Sequence, residues 1–193
     1  MTTTSAELPR LERATREHAL LFARVQFERG ERVDMQTLAA ELGVGRTTLY
    51  RWFGDREQLI AELFAGLTDE IFAGINAGPA GGGIEVALDS IRSFMSITSG
   101  FEPLRDFAQR EPALALRILV APQGLVQQRI RAGVTEALER HLPARRTPLP
   151  PDVIDVLVQV GANLQWTPIV IGDPPDIERA LQLGRSVLAN HLP

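Results

Sequence analysis

Apolar residues recur three or four positions apart along most of the chain, and this spacing is the strongest constraint on its fold. One such stripe consists of Leu59, Leu63, Leu67, Ile71 and Ile75. Spacing of this kind places side chains on one face of an α-helix, whereas convincing runs of strict alternation, which mark strands, are missing. Glycine and proline break the pattern into blocks. The sequence therefore predicts an all-α protein of about nine helices.

The sharpest change in composition lies at residues 77–83, which read Ala-Gly-Pro-Ala-Gly-Gly-Gly. A segment this rich in glycine predicts a flexible loop without regular structure. It separates a compact N-terminal set of helices from a longer, more apolar C-terminal half. The helix predicted over about 55–76 runs up to this loop, so it belongs to both halves. We place the domain boundary after residue 56, which divides the chain into 1–56 and 57–193.

The composition excludes several classes of protein. The 193 residues are 45% hydrophobic and include no cysteine, which excludes a disulfide framework, a thiolate metal site and a cysteine nucleophile. The first twenty residues lack the apolar stretch of a signal peptide. Residues 153–171 are apolar but contain an aspartate, three amides and a proline, which favours a buried helix over a membrane span. We therefore expect a soluble cytoplasmic protein that makes no membrane contact.

The segment from Asp34 to Phe53 has the layout of a helix-turn-helix. Asp34 can cap a short helix. Gly43 stands where the chain must turn sharply, and glycine adopts a left-handed backbone there without strain. A second short helix follows, with Leu49 and Phe53 four residues apart on its inner side. In this layout the second helix enters the major groove of DNA.

The outward side of the second helix has the chemistry that reading DNA requires. Arg46, Thr47, Tyr50 and Arg51 project away from the inner face. Arginine can donate two parallel hydrogen bonds to guanine, and a threonine methyl can touch thymine. The hydroxyls of Thr48 and Tyr50 suit phosphate oxygens, which fix the register of the protein on DNA.

The start of the next helix offers a further phosphate contact. Asp55 and Gln58 form a plausible capping pair, and the first amides of that helix, beside Arg56, suit an anion. The alternative for the whole segment is that two helices meet at a glycine turn and that their polar residues are merely solvated.

The segment from Leu38 to Leu59 resembles the signature of the TetR-type (tetracycline-repressor-like) regulators, above all in its Thr-Leu-Tyr-x-x-Phe core. The resemblance covers about the first sixty residues. It implies an all-α homodimer with an N-terminal three-helix DNA-binding domain and a C-terminal ligand-binding and dimerisation domain. By this resemblance Arg46, Thr47 and Arg51 would read bases of a double-stranded operator. The side chains that would hold phosphates are those of Thr48, Tyr50, Trp52 and Arg56.

Other segments extend the resemblance or depart from it. Thr15 and Arg16 sit where the first helix of that family starts and touches the DNA backbone. Gly45 stands where a capping serine is common, and Arg56 replaces the usual lysine but keeps the charge. In the C-terminal half, the segments 110–117, 122–129 and 171–177 resemble the branch typified by the regulator of a quorum-signal-degrading lactonase.

The C-terminal half supplies candidates for a small-molecule effector site, since such sites are typically apolar clefts with a few polar groups. The candidate contacts are Phe94, Phe101, Phe107, Gln128, Gln159, Asn163 and Trp166, with Arg92 and Arg105 as further polar candidates. Gln159 and Asn163 lie four apart on an apolar helix, where a buried amide must find a hydrogen-bond partner. The alternative is that the aromatic residues are simply core and the polar ones simply surface.

The last two helices, predicted over roughly 152–171 and 176–192, are rich in leucine, valine and isoleucine. By resemblance they would pair with their symmetry mates in a homodimer, and the alternative is that they pack within one subunit. A two-fold dimer would hold its recognition helices about 34–36 Å apart, one turn of DNA. An effector that favours one tilt of the 55–76 helix would change this spacing and release a repressor from its operator.

The sequence bears on two other classes of function. Three widely spaced histidines, with no paired nucleophile, no metal-ligand spacing and no phosphate-binding glycine loop, argue against an enzyme. We therefore expect no cofactor and no metal. A helical adaptor that acts through protein contacts, or a DNA-binding protein without an effector, remains the alternative. Repression is only the commoner mode of the family, so activation stays open.

The charge is distributed unevenly along the chain. All 20 basic side chains are arginine, against 24 acidic ones, and the net charge of −4 would by itself argue against a nucleic-acid partner. Residues 1–58 hold nine arginines and nine acids, a net charge of zero, while residues 59–193 hold 11 and 15, a net charge of −4. The acidity therefore belongs to the regulatory half. A neutral DNA-binding half predicts modest non-specific affinity for DNA.

Overall fold

The computed structural model describes residues 14–142 and 149–191, and within them it contains ten α-helices and no strand. They are α1 (Arg16–Glu28), α2 (Met35–Glu41), α3 (Arg46–Phe53), α4 (Arg56–Ile75), α5 (Gly83–Gly100), α6 (Glu102–Arg110), α7 (Pro112–Leu119), α8 (Leu125–His141), α9 (Pro151–Val170) and α10 (Ile177–Ala189). The all-α prediction is confirmed, with ten helices in place of about nine. Only Glu111 separates α6 from α7, because Pro112 lacks a backbone N–H and starts a new helix. Residue 192, the predicted end of the last helix, lies outside the described residues.

The chain forms two compact units, and the division between them falls within α4, after Leu63. The first unit contains α1, α2, α3 and the start of α4. Its core includes Leu38, Leu49 and Leu59, none of which has any exposed surface. Of the predicted capping pair of α4, the Asp55 half is present, since its carboxylate accepts a hydrogen bond from the backbone N–H of Gln58 at 2.8 Å. The side-chain amide of Gln58 donates instead to Glu62 at 3.4 Å. The assignment of separate functions to 1–56 and 57–193 stays a prediction.

The central helix of the second unit is α9, which packs against α5, α6, α7, α8 and α10. Its buried residues are Val153, Ile154, Val158, Ala162, Gln165, Trp166 and Ile169. By length and composition α9 could cross a membrane. Its packing against five helices and its buried polar amide identify it instead as a core helix of this unit, as the sequence predicted.

The second part of α4 makes close aromatic contacts within the second unit. Phe72 stacks on Phe94 of α5, with ring centroids 4.4 Å apart. Phe64 meets Phe107 of α6 edge to face, with centroids 5.3 Å apart. On α8, a Cβ atom at Gly133 would lie 2.3 Å from the ring of Phe72, so only glycine permits this approach. Helices α5, α6 and α8 therefore all touch α4 through its phenylalanines.

The glycine-rich loop between α4 and α5 has no regular structure, as predicted, but it is anchored to the end of α8. The backbone N–H of Gly81 donates to the carbonyl of Arg140 at 3.0 Å, and the Gly81 carbonyl lies 2.6 Å from Nδ1 of His141. The Arg140 guanidinium donates to the carbonyl of Gly78. Because the second part of α4 belongs to the second unit, this loop lies inside that unit and does not divide the two halves.

Candidate nucleic-acid interface

The helix-turn-helix predicted from Asp34 to Phe53 is present as α2, a tight turn and α3. The Asp34 carboxylate accepts hydrogen bonds from two backbone N–H groups at the start of α2. That from Thr37, at 3.0 Å, is the main cause that lowers the pKa of Asp34. Gly43 turns the chain with a φ of 64°. The N–H of Val44 then donates to the carbonyl of Ala39 at 3.0 Å, which closes the turn against α2.

The two faces of α3 differ as the sequence predicted. Its inner residues, Leu49 and Phe53, are buried. Arg46, Thr47 and Arg51 are exposed, and Tyr50 is 50% exposed although its ring is large. Within residues 14–142 and 149–191 no group pairs with the guanidinium of Arg46 or Arg51. An exposed row of two unpaired arginines, a threonine and a tyrosine is suited to contacts with bases and phosphates.

The remaining predicted DNA contacts are less accessible. Thr48, Trp52 and Arg56 are half-buried. Arg56 donates from Nε to the carbonyl of Val33 at 2.5 Å, so part of its guanidinium is used inside the first unit. The start of α3 has no side-chain cap, because Gly45 occupies that position, which agrees with the departure noted in the sequence.

The predicted start of the first helix is confirmed at Thr15 and Arg16. Thr15 is exposed and caps α1 reciprocally with His18: its hydroxyl accepts from the His18 N–H, and its own N–H donates to Nδ1 of that ring, each at 3.3 Å. This hydrogen bond gives His18 a structural role. The geometry leaves the Thr15 side chain at the surface, beside the start of α1.

Arg16 connects three helices of the first unit, which sequence reasoning did not foresee. Its Nε donates to the carbonyl of Trp52 at 3.1 Å. Its guanidinium carbon lies 4.7 Å from the centre of the Phe53 ring, within the range of a cation–π interaction. The same guanidinium forms an ion pair with Glu62 of α4. Arg16 thus fixes the C-terminal end of α3 relative to α1 and α4.

The other two histidines also lie against backbone groups. Nδ1 of His141 is 2.6 Å from the Gly81 carbonyl, and Nδ1 of His191 is 2.9 Å from that of Val187. Among the residues that the structure describes, no three His, Cys, Asp or Glu side chains are grouped so as to hold a metal ion.

The seven candidate effector contacts do not converge on one place. Phe94, Phe107 and Trp166 are buried, Phe101 and Gln159 are half-buried, and Gln128 and Asn163 are exposed. The buried amide pair expected on α9 is therefore absent. Gln159 donates to the carbonyl of Val120 at 3.1 Å, and Asn163 to that of Gln159 at 2.8 Å. Both lie one position away from the buried stripe of α9, about 100° around the helix, and a role in ligand contact stays a prediction.

An apolar cavity of about 40 Å³ lies between α5, α8 and α9. Of the predicted contacts only Phe94 lines it. The other lining residues include Ile91, Met95, Val134 and Val158.

The polar residue at this cavity is Gln165, which sequence reasoning missed. It is 3% exposed, and its Nε2 lies 2.7 Å from the Thr98 hydroxyl, 3.0 Å from that of Ser99 and 3.1 Å from the Met95 carbonyl. The sequence contained a signal for its burial, because Gln165 follows Ala162 by three residues and therefore lies on the same face of α9.

Comparison with known families and structures identifies relatives across nearly the whole chain. Residues 82–189 match the family described as "Tetracyclin repressor-like, C-terminal domain", and residues 23–63 match "Bacterial regulatory proteins, tetR family". The chain is similar to the transcriptional repressor QsdR of R. erythropolis, from the TetR family, with 27% identity, a TM-score of 0.78 and coverage of 90% of this chain and 94% of that one. It shares its fold with the TetR family repressor AlkX from Dietzia sp., implicated in biodegradation of n-alkanes, with 21% identity, a TM-score of 0.57 and coverage of 94% and 97%. No curated protein matches at a significant level.

The contacts of Arg16 predict a measurable role in stability. We expect Arg16→Ala to lower the free energy of unfolding by about 1–2 kcal/mol, because it removes a hydrogen bond and a cation–π contact as well as a partly exposed ion pair. Arg24→Ala is the matched control, since Arg24 lies on the same helix and pairs with Glu28 one turn away. Denaturant unfolding measures both variants. Equal losses in the two would show that Arg16 does not connect the helices.

Proposed function

Because the chain belongs to the TetR family of bacterial regulatory proteins, we propose that it is a repressor that a small effector releases from its operator. The family prediction is confirmed, and the protein is a DNA-binding transcriptional regulator, not an enzyme. The observation that carries the proposal is the exposed face of α3, where Arg46 and Arg51 have no partner among the described residues. We place the protein in the cytoplasm, where bacterial DNA lies.

The proposed contacts with DNA divide into two groups. Arg46, Thr47 and Arg51 read base edges, because they are exposed on the outer face of α3. The phosphate contacts are Thr15, Thr48, Tyr50, Trp52 and Arg56, which lie at helix starts or on the sides of α3. Arg56 is half-buried in the first turn of α4, beside the start of that helix.

Substitutions on α3 should separate the two groups. We expect Arg46→Ala to cost about 1–3 kcal/mol of binding at the preferred base and to relax selectivity there. Tyr50→Ala should weaken binding to all sequences alike. Gel shifts with DNA from upstream of the protein's own gene, and with single-base variants of the bound site, distinguish these effects. Arg29→Ala, an exposed arginine outside α3, is the control. If both α3 variants bound DNA as the native chain does, α3 would not be the recognition helix.

We also propose a homodimer formed through α9 and α10. Val156 and Leu183 are 49% and 43% exposed, which is unusual for large apolar side chains. The two helices that carry them pack together, since a Cβ atom at Gly184 of α10 would lie 3.5 Å from the side chain of Leu157 of α9. We propose that Val156 and Leu183 belong to one apolar patch on these adjacent helices, which is suited to a two-fold interface because the same surface is used on both subunits.

A charge at the centre of this patch should separate the subunits. We expect Leu183→Glu to weaken the dimer by about a hundredfold or more, since burying an unpaired carboxylate costs several kcal/mol. Operator affinity should fall with it, because each monomer contacts one half-site. Ile97→Glu, at an equally exposed apolar residue on α5, should stay dimeric. Sedimentation measures the mass of both variants, and a dimeric Leu183→Glu protein would exclude this interface.

The proposed effector is small and largely apolar, and its site is the cavity lined by Phe94. Ligand pockets typically have volumes of about 300–1,000 Å³, so a cavity of about 40 Å³ must widen when a ligand enters. Phe94 stacks on Phe72 of α4. Widening would therefore displace α4, the helix that also begins beside α3. Coupling between two sites is typically worth about 1–3 kcal/mol.

Filling the cavity should imitate the effector. Ala162 is buried and lines the cavity, and we expect Ala162→Leu to lower operator affinity about five- to hundredfold while the dimer persists. Ala189→Leu, the same change at an exposed position of α10, should leave affinity unchanged. Circular dichroism confirms that both variants are folded. Native operator affinity in a folded Ala162→Leu protein would favour the alternative of a DNA-binding protein without an effector.

A further inference from the structure

A second cleft in the second unit has a chemistry different from that of the apolar cavity. It has a volume of about 520 Å³ and lies between the C-terminal end of α5, helix α6 and the turn from α9 to α10. This volume falls within the range of about 300–1,000 Å³ that is typical of small-molecule sites. The lining combines charged side chains with apolar ones, namely Arg105, Asp106, Asp173, Ile169, Pro174 and Ile177.

The charged side chains of this cleft are available to a ligand. Arg105, Asp106 and Asp173 are exposed, and none of the three side chains has an ion pair or hydrogen bond with any group that the structure describes. By contrast, Arg185 of the same unit is already paired, because its guanidinium donates to both carboxylate oxygens of Glu85, at 2.9 and 2.5 Å. Arg105 therefore retains its full capacity to bind a carboxylate.

We propose that this cleft binds a small amphipathic α-amino or α-hydroxy acid, which goes beyond the apolar effector site proposed above. The Arg105 guanidinium matches a carboxylate in a bidentate arrangement. Asp106 and Asp173 accept from the amino or hydroxyl group. Ile169 and Ile177 contact the apolar side chain of the ligand.

The same lining disfavours other classes of ligand. One guanidinium and two carboxylates give the charged lining a net charge of −1. A phosphate dianion is repelled by this surface, whereas a monoanion with its own donor is not. A plain amine lacks a group for Arg105. The ligand therefore needs both a carboxylate, which binds Arg105, and a hydrogen-bond donor, which binds Asp106 and Asp173.

Binding in the cleft would also act on α4. Arg105 lies on the exposed side of α6, while Phe107 on its buried side meets Phe64 of α4 edge to face. A ligand that joins α6 to the turn between α9 and α10 would move this aromatic contact. The binding itself is independent of the proposed repressor activity, and only its effect on the operator rests on that proposal.

A matched series of compounds tests the binding in the full-length protein by calorimetry. The probes are L-leucine, its α-hydroxy analogue, isocaproate without the donor, isoamylamine without the carboxylate, and inorganic phosphate. We expect L-leucine and the hydroxy acid to bind at millimolar concentration, isocaproate more weakly, and the last two not at all. Arg105→Gln should lower the affinity for the hydroxy acid about tenfold. Arg179→Gln, at an exposed arginine of α10 outside the cleft, should leave the affinity unchanged.

The outcomes separate the binding site from its effect on DNA. The proposal is overturned if neither L-leucine nor the hydroxy acid binds, if Arg105→Gln binds them as the native chain does, or if phosphate binds equally well. Phe107→Leu should keep the affinity for the acid but abolish its effect on operator binding. Binding that depends on Arg105 but never changes operator affinity would support the site and contradict its coupling to α4.

Discussion

The continuous backbone of α4 is the constraint on which the rest of the structure depends. Its twenty residues form one helix about 30 Å long, yet Leu59 is buried in the first unit and Phe72 in the second. The ion pair of Arg16 with Glu62 in the first unit and the stacking of Phe94 in the second therefore act on the same backbone. This continuity is the physical basis of the proposed link between an effector and DNA affinity.

The chain contains arginine but no lysine, and its arginines differ in the partners they have within the first unit. Arg16 and Arg56 bind backbone carbonyls within the first unit, and they hold α3 and the start of α4 in place. Arg46 and Arg51 have no partner among the described residues. Because residues 1–58 carry no net charge, attraction to DNA cannot come from a general positive field and has to come from this local face of α3.

The buried side-chain amide of Gln165 holds two helices of the second unit together. Gln165 of α9 lines the apolar cavity and donates hydrogen bonds to Thr98 and Ser99 of α5. Ser99 in turn lines the second cleft, the one that contains Arg105. Three acceptors within reach of one amide fix the position of α9 against α5, since a buried polar group left unbonded is costly. The apolar cavity and the second cleft therefore both border α5 and α9. The cavity is lined by Phe94, which stacks on Phe72 of α4, whereas the cleft borders α6, whose Phe107 meets Phe64 of α4.

Features that depend on residues a few positions apart were predictable from the sequence. The helical period, the Asp34 cap, the Gly43 turn and the exposed side of α3 all follow from local geometry, and the structure contains each of them. The tertiary structure alone decided which polar side chains meet. Arg16 finds its partners 36 and 46 residues away, and the packing of α9 against α5 buries Gln165 while leaving Asn163 exposed. The spacing of apolar residues locates the buried face of a helix only to within about one residue, which corresponds to about 100° around the helix. An error of that size is enough to mistake an exposed amide such as Asn163 for a buried one such as Gln165.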